Sequence, residues 1–309
     1  MSAIVVPDLR IAAPADAVLD QLGALRNLPG NWSGHGFNLI ARPDRTAENG
    51  FFLELNPTDE NLRFSSIGGP IPNRGSVTDD IELHGVYYLQ RIFDHATGGA
   101  LHVEPGVWLT GPAATQPGEP ETVARLASVP HGSTILAQGT STLLDTPPVI
   151  GPANTVPFPV GAAEPGPGTP NNLPEYNLGT PSNSRTTLTP DVGQAAAGAD
   201  VSQAAVTDPN SLLTAEITGQ TITATTVLHV STADDPANHT FGGAENIPFL
   251  QANAGVAQVS ATFWIETVQF PPPYTDRCYL QLQYSQTVFL NFLGRTWPHV
   301  SVATLKKVT

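Results

Sequence analysis

At 309 residues, with 27 acidic and 13 basic residues, the chain carries a formal net charge of −14. A surface so poor in cations repels nucleic-acid phosphates and anionic lipid heads, which argues against nucleic acid and membrane surfaces as partners. The single Cys278 excludes an internal disulfide framework and any metal site built from several cysteines. The 28 glycines and 30 prolines are spread along the chain and favour many short elements joined by turns, which is typical of an all-β fold.

The N-terminal segment lacks the features of a secretory signal. It has no basic start, and its apolar run is interrupted at Pro7 and Asp8. Nowhere does the sequence contain about 18 consecutive apolar residues, the length that a membrane-spanning helix needs. These features predict a soluble cytoplasmic protein.

The clearest helical pattern spans residues 14–25. Pro14 suits a first helical turn, and Asp16 lies near the positive end of the helix dipole. Four apolar residues recur at helical spacing and form one stripe, namely Val18, Leu19, Leu22 and Leu25. The pattern predicts an N-terminal helix that acts as a lid or plug.

A glycine-rich strand follows this helix. Trp32, Gly34 and Gly36 share one face of an extended chain, because side chains alternate along a strand. Glycines repeated on one face indicate strong bending or the close approach of another segment, as where a sheet curls into a barrel.

Alternating apolar and polar residues predict further strands in the first half of the chain. A polar turn at 57–60 separates the first two, and 81–94 forms a long hairpin with the strand that follows it. The predicted strands are 51–55, 61–67, 81–94, 101–109, 123–129 and 133–139.

The composition changes over residues 140–210, where Pro, Gly, Ala, Ser, Thr and Asn dominate without periodicity. Such a segment buries too little apolar surface to order itself unless it lies over something already folded. We therefore interpret it as a long insertion in one domain spanning 1–309, lying on the barrel wall.

The second half resumes the strand pattern. Residues 212–230 are predicted to form two strands around Gly219, and 241–246 a loop. Three strands at 256–270, 278–292 and 299–308 predict an antiparallel meander. The total of roughly ten strands is enough to close a lipocalin-like antiparallel β-barrel around a cavity.

His102 and Glu104 are the leading catalytic candidates. On the strand 101–109 they share one face with Gly106, so an imidazole and a carboxylate meet the same space. A carboxylate two residues along can fix the tautomer of an imidazole or share a cation with it. The alternative is a solvated polar stripe on an exposed sheet face.

Histidine is the main chemical resource elsewhere, because the sequence has no nucleophile elbow, phosphate-binding loop or dinucleotide fingerprint. His299 opens the final strand and is the second candidate. The remaining histidines have plain interpretations as strand, turn or surface residues, and they are His35, His84, His95, His131, His229 and His239.

Several motifs, taken in chain order, resemble the landmarks of the nitrobindin-type haem-binding β-barrels. They are Gly30-Asn-Trp32-Ser-Gly34-His-Gly36, Gly69-Pro-Ile-Pro, Leu101-His102-Val-Glu104-Pro-Gly106 and the histidine that opens the last strand. The chain departs from the family in its greater length, its insertion and the extra segment 87–94, and it has Leu101 where the family usually has Met.

The resemblance implies a ten-stranded barrel that binds haem b, with His299 as the axial iron ligand. It also implies that Leu101, Trp32, Gly34 and Gly36 border the haem and that His102 and Glu104 act on a diatomic ligand, peroxynitrite or peroxide. Arginines are candidates for binding the haem propionates, and these are Arg74, Arg91 and Arg295. Whether an isomerase or peroxidase-like activity follows is left open, as is homo-oligomerisation.

Two other classes of function stay open at this point. A closed barrel can carry a lipid or another hydrophobic small molecule without any chemistry. Alternatively, a non-haem metal enzyme could use His102 and Glu104 together with His84, if the hairpin brings the three side chains together.

Overall fold

In the computed structural model, which describes residues 15–111, 121–166, 168–187 and 202–308, ten antiparallel strands form a closed barrel. The strands of these ranges are β1 (Gly30–Pro43), β2 (Phe51–Ser66), β3 (Ile71–Asn73), β4 (Ile81–Asp94), β5 (Ala100–Gly111), β6 (Thr122–Val129), β7 (Ser133–Leu144), β8 (Phe158–Pro159), β9 (Thr221–Ser231), β10 (Phe241–Asn246), β11 (Gly255–Gln269), β12 (Cys278–Phe292) and β13 (Arg295–Lys307). The helices are α1 (Ala15–Gln21), α2 (Gln203–Thr207), α3 (Asn210–Ile217) and α4 (Pro248–Asn253).

The barrel closes because β1 pairs with β2 on one side and with β13 on the other. The circular order is β1-β2-β4-β5-β6-β7-β9-β11-β12-β13, and β3, β8 and β10 pair at its margins with β4, β13 and β7. The all-β barrel and its final meander are therefore confirmed.

The glycines of β1 lie where β13 passes closest. A Cβ on Gly34 would lie 2.1 Å from the carbonyl oxygen of Thr304, and one on Gly36 would lie 2.4 Å from that of Val302. Both separations are below any real Cβ contact, so only glycine fits. The predicted close approach of another segment is confirmed at the seam of the barrel.

One end of the barrel is plugged by the N-terminal segment. The helix is shorter than the predicted 14–25, because Gly23 adopts a left-handed φ of 52° and a 3₁₀ turn, Gly23–Leu25, follows α1. Pro14 lies outside the described residues. Leu22, Leu25 and Leu28 are buried in the same apolar cluster as the barrel interior, so the segment does act as a plug.

The described part of the insertion covers the outer wall and does not enter the barrel. It begins at residue 145, since β7 continues to Leu144. Tyr176 and Val206 are buried against outward-facing side chains of β1, β2 and β13, and Leu213 of the following helix α3 joins them. Those wall residues include Phe37, Leu39, Leu53, Leu55, Val300 and Val302.

Residues 210–217 form helix α3, so the prediction of a strand there is wrong. Pro209 occupies the helix start, and the side chain of Asp208 accepts a hydrogen bond from the N–H of Asn210 at 3.0 Å. Both are helix-start features, and they outweigh the short apolar run of the following residues. The predicted loop at 241–246 is likewise wrong, because it forms β10 against β7.

The predicted turn at 57–60 is also wrong, because β2 runs through it without a break. The carbonyl of Pro57 accepts a hydrogen bond from the N–H of His95 at 3.0 Å, so both backbone groups of Pro57 face the β4 side. Pairing of β2 with β4 begins only at Thr58. The missing N–H of proline therefore removes no ladder hydrogen bond.

Every helix within the described ranges falls short of the length and apolarity needed to cross a membrane.

The packing of α3 on the wall predicts the effect of shortening its main contact. Leu213 is 1% exposed, and Leu213→Ala is expected to lower the free energy of unfolding by about 2–5 kcal/mol in urea denaturation. The control Leu143→Ala, at a side chain that is 75% exposed, is expected to change it by less than about 0.5 kcal/mol. Equal effects of the two substitutions would contradict this packing.

Candidate functional site

The open end of the barrel encloses a cavity of about 370 Å³. This volume lies within the usual range for small-molecule sites, which is about 300–1,000 Å³. Its walls come from the strand ends opposite the plug, and α4 contributes Leu250 at the mouth. Much of the lining is aliphatic and includes Ile40, Ile92, Val129, Val256, Val288 and Leu290.

His102 lines this cavity, and Glu104 lies directly beneath it. From His102 onwards the alternation predicted for β5 holds, because Glu104 is buried while Val103 is exposed on the outer face. The Nε2 atom of His102 lies 3.4 Å from Oε2 of Glu104. The carboxylate can only accept, so this contact places the imidazole proton on Nε2.

Leu101 also lines the cavity, although strict alternation would place it on the other face. The register of β4 and β5 shifts here, with His102 opposite Ile92 and Ala100 opposite Phe93. Leu101 is the extra residue of a β-bulge, and such bulges commonly redirect a side chain next to a binding site.

His299 lies on the opposite wall of the same cavity, at the start of β13. Its Nε2 contacts the backbone carbonyl oxygen of Ala41. A carbonyl only accepts hydrogen bonds, so Nε2 donates and Nδ1 keeps a free lone pair. Burial lowers the pKa of His299 to about 4, which keeps the imidazole neutral at physiological pH.

A third histidine, His131, joins the cavity from the β6–β7 turn. Its ring centroid lies 6.2 Å from that of His102, and burial lowers its pKa. The sequence indicates a turn at Pro130-His131-Gly132, but it does not indicate that the turn side chain folds over the barrel mouth. This residue was therefore missed as part of the site.

The floor of the cavity is a polar layer built on a buried ion pair. Glu104 and Arg125 are both 1% exposed, and Tyr88 contacts both of them. Burial alone would raise the pKa of Glu104, but the Arg125 charge and the hydrogen bonds from His102 and Tyr88 lower it to about 2. Gln286, which lines the cavity, accepts a hydrogen bond from the guanidinium.

A second carboxyl group lies in the same layer. Glu60 is 1% exposed, and its Oε2 accepts hydrogen bonds from Tyr284 at 2.7 Å and Gln90 at 3.1 Å. Burial raises the pKa of Glu60 to about 7, against the opposing effect of these hydrogen bonds. Tyr284 and Gln90 both reach the cavity, so they connect its contents to this carboxyl group.

The structure places Trp32, Gly34 and Gly36 deeper in the barrel than the cavity, and none of them is among its lining residues. Trp32 is 1% exposed in the apolar core, and its indole N–H donates to the carbonyl of Leu28 at 2.8 Å. The two glycines lie at the seam with β13, where they allow the barrel to close.

His84 lies far from His102. The hypothesis of a metal site formed by His84, His102 and Glu104 is therefore contradicted. In the β4–β5 register His102 faces Ile92, and His84 lies eight residues earlier on β4. At about 3.4 Å per residue the separation along the strand is about 27 Å.

None of the three arginines predicted at the mouth lines the cavity, and Arg42 does so in their place. Its side chain is 45% exposed and lies 2.5 Å from Glu54. The sequence did not indicate this residue because its position at the rim depends on how β1 ends against β2. The residues predicted at the mouth were Arg74, Arg91 and Arg295.

The metal-binding side chains of the cavity suit a cofactor that needs only one ligand atom from the protein. Among the described residues, no three His, Cys, Asp or Glu side chains of the cavity lie close enough together to hold a bare metal ion. Haem brings four nitrogen ligands of its own and requires a single imidazole, an apolar enclosure and donors at its edge. His299, the aliphatic walls and Arg42 provide these three features, so the residues present fit haem.

The burial of His299 in the cavity wall predicts how the stability of the protein depends on pH. Between pH 6.5 and 4 the unfolded chain takes up a proton at this residue and the folded protein does not, so the free energy of unfolding falls as the pH drops through this window. His299→Gln is expected to flatten that part of the stability profile. NMR titration of the imidazole should show a midpoint near 4; a midpoint near 6.5 would contradict the enclosed, neutral state.

The buried ion pair predicts a strong stability effect. Arg125→Met leaves the Glu104 carboxylate buried without its counter-ion, which should cost about 3–5 kcal/mol in urea unfolding. Adding Glu104→Gln should recover part of that loss, because no buried charge then remains. The control Arg42→Met breaks a surface pair and should cost no more than about 1 kcal/mol. Additive losses in the double variant would contradict the pairing.

Comparisons with known proteins do not assign this chain to a family. No family model matches the sequence, and no curated protein matches it. Rv2717c from M. tuberculosis, a crystal structure, aligns over 97% of this chain and 100% of its own with a TM-score of 0.41 and 16% identity. A similarity at this level bears on neither the ligand nor the activity of this chain.

Proposed function

We propose that the barrel binds haem b in its open-end cavity through His299. The observation that supports this proposal is a neutral imidazole held on the wall of an aliphatic cavity, with Nε2 anchored on the Ala41 carbonyl. An anchored second nitrogen is typical of metal-binding histidines, because it fixes both the tautomer and the ring plane. Nδ1 of His299 would then be the nitrogen left to hold the iron.

The low pKa of His299 also favours this role. A metal ion and a proton compete for the same lone pair, so a histidine that stays neutral down to about pH 4 is available as a ligand over the physiological range. The carbonyl hydrogen bond increases the basicity of the ring towards a metal at the same time.

His102 and Glu104 are the residues proposed to act on the small ligand. When bound, haem supplies an iron centre that binds diatomic ligands such as nitric oxide and reacts with peroxynitrite or peroxide. The carboxylate holds the His102 proton on Nε2, and the charge of Arg125 holds that carboxylate ionised. His102 is thereby oriented on the cavity wall as a hydrogen-bonding group, and the aliphatic lining excludes water.

The rim carries the remaining contacts. Arg42 is the guanidinium at the mouth, where a carboxylate of the ligand could replace Glu54 as its partner. His131 adds an imidazole at the β6–β7 turn, beside His102. These groups place charge at the solvent edge and leave the aliphatic walls for the macrocycle.

A plain lipid carrier is the second candidate, because the aliphatic walls would also suit an acyl chain. The imidazole of His299 on the cavity wall favours haem, because an acyl chain offers no metal for it to bind. A carrier also has no use for three histidines around one cavity.

Titration of the purified chain with hemin tests the proposal. A saturable Soret band at one equivalent is expected, and His299→Ala should weaken binding by more than about tenfold and change the band. Imidazole added to His299→Gly should restore the spectrum. The control His35→Ala, on the outer wall, should bind like the parent protein.

Two results would separate the parts of this proposal. A spectrum that stays that of free hemin would exclude haem, and acyl chains co-purifying with both parent and His299→Ala would favour the carrier. A Soret band unchanged in His299→Ala would instead overturn the assignment of the ligand while leaving haem binding intact.

A further inference from the structure

A second group of metal-binding side chains lies on the outside of the barrel, away from the cavity. The Nδ1 atom of His35 lies 2.7 Å from Oδ1 of Asp59, and Nδ1 of His95 lies 3.0 Å from Oδ2 of the same carboxylate. One ligand atom from each residue lies within 4.8 Å of the other two. Within the described ranges, no other His, Cys, Asp or Glu group of three is this close.

The backbone of three neighbouring segments holds the three residues in place. His35 on β1 lies directly opposite Asp59 on β2 in the strand register. His95 follows the last residue of β4, and its N–H donates to the carbonyl of Pro57, two residues before Asp59. The cluster therefore rests on a paired wall of the barrel, and its Cα positions are fixed without a ligand.

The spacing of the donor atoms suits a small divalent ion. Zinc bonds of about 2.0–2.1 Å in a tetrahedron place ligand atoms about 3.4 Å apart. The two nitrogen–oxygen distances of 2.7 and 3.0 Å are a few tenths of an ångström shorter, because hydrogen bonds now join these atoms. Rotating the two imidazoles about their side-chain bonds would lengthen both contacts towards the metal spacing.

Access and charge favour the same occupant. The side chains of His35, Asp59 and His95 are 53, 41 and 35% exposed, so an ion can enter and keep water in its remaining positions. Asp94 lies close enough to His95 for their charges to interact. A net charge of −14 over the chain adds a long-range attraction for cations.

We propose that His35, Asp59 and His95 form a binding site for a divalent transition-metal ion of the zinc type, with water completing its coordination. Two imidazoles and one carboxylate with an open position are a donor set that zinc and its neighbours in the transition series use. The ion ties β1 to β2 and to the turn after β4, so it stabilises the seam side of the barrel by mass action. This site is independent of the proposed haem site, because the three side chains face outwards.

Calorimetric titration of the full-length, metal-free chain with Zn²⁺ is the test. One equivalent should bind, and His35→Ala, His95→Ala and Asp59→Asn should each weaken binding by more than about tenfold, since even outer-shell partners of a metal contribute that much. The melting temperature should rise with Zn²⁺ in the parent chain and stay constant in the variants. In the presence of a chelator, the parent and the three variants should have the same melting temperature, which would show that the variants fold.

Two further variants distinguish this site from other places on the protein that could bind Zn²⁺. His84→Ala and His299→Ala should bind Zn²⁺ like the parent, because neither residue belongs to the cluster. Zn²⁺ binding that survives His35→Ala and His95→Ala but disappears in His299→Ala would overturn the proposal in favour of the cavity. Zn²⁺ binding that none of these substitutions changes would overturn the proposal, because such binding is non-specific.

A spectrum of the parent protein provides a test if a variant does unfold. Co²⁺ bound to the parent must then show the visible bands of a tetrahedral site with imidazole ligands.

Discussion

The pairing of β1 with β13 is the contact on which the cavity depends. It joins the first and last long strands of the barrel, from Trp32 opposite Lys307 to Leu39 opposite Val300. Just past the paired residues, the carbonyl oxygen of Ala41 on β1 contacts His299 on β13. The pairing that closes the sheet therefore also fixes the tautomer of this histidine. The pairing requires glycine at positions 34 and 36, because the β13 backbone occupies the space of a side chain there. The same residues therefore determine closure and, indirectly, the chemistry of the cavity.

The interior is divided into an apolar core, a polar layer and an aliphatic cavity. The core fills the plugged end, and the layer begins where Arg125 lies over the rings of Tyr88, Trp108 and Phe263 at 5.4 to 5.9 Å. A guanidinium buried this deeply is tolerated because Glu104, Tyr88 and Gln286 satisfy its donors and aromatic faces surround it. Apolar side chains could fill the space of this layer only by breaking those hydrogen bonds. The apolar core therefore ends at the layer, and the cavity beyond it stays open.

Alternation of side chains was sufficient to predict the barrel and the face of β5 that carries His102 and Glu104. It could not predict residues whose positions depend on irregular backbone, namely His131 in a turn and Leu101 at a bulge. The sequence predicts a strand at 210–217, because the apolar residues of this helix pack on the outer wall, a surface that exists only once the barrel has closed. The hypothesis that His84 adjoins His102 is wrong, because a hairpin register cannot be read from two strand patterns alone.

The alternation in β1 separates the two groups of histidines. Gly34 and Gly36 face the inside at the seam, whereas His35 between them faces outwards towards Asp59. A side chain of any size at the inward positions would push β1 away from β13, and it would also shift His35 relative to Asp59. The outer cluster thus depends on the closure of the barrel, as the cavity does, although the two lie on opposite faces of the wall. The two sites share strand β1, so the pairing of its backbone with β2 and β13 holds both in place.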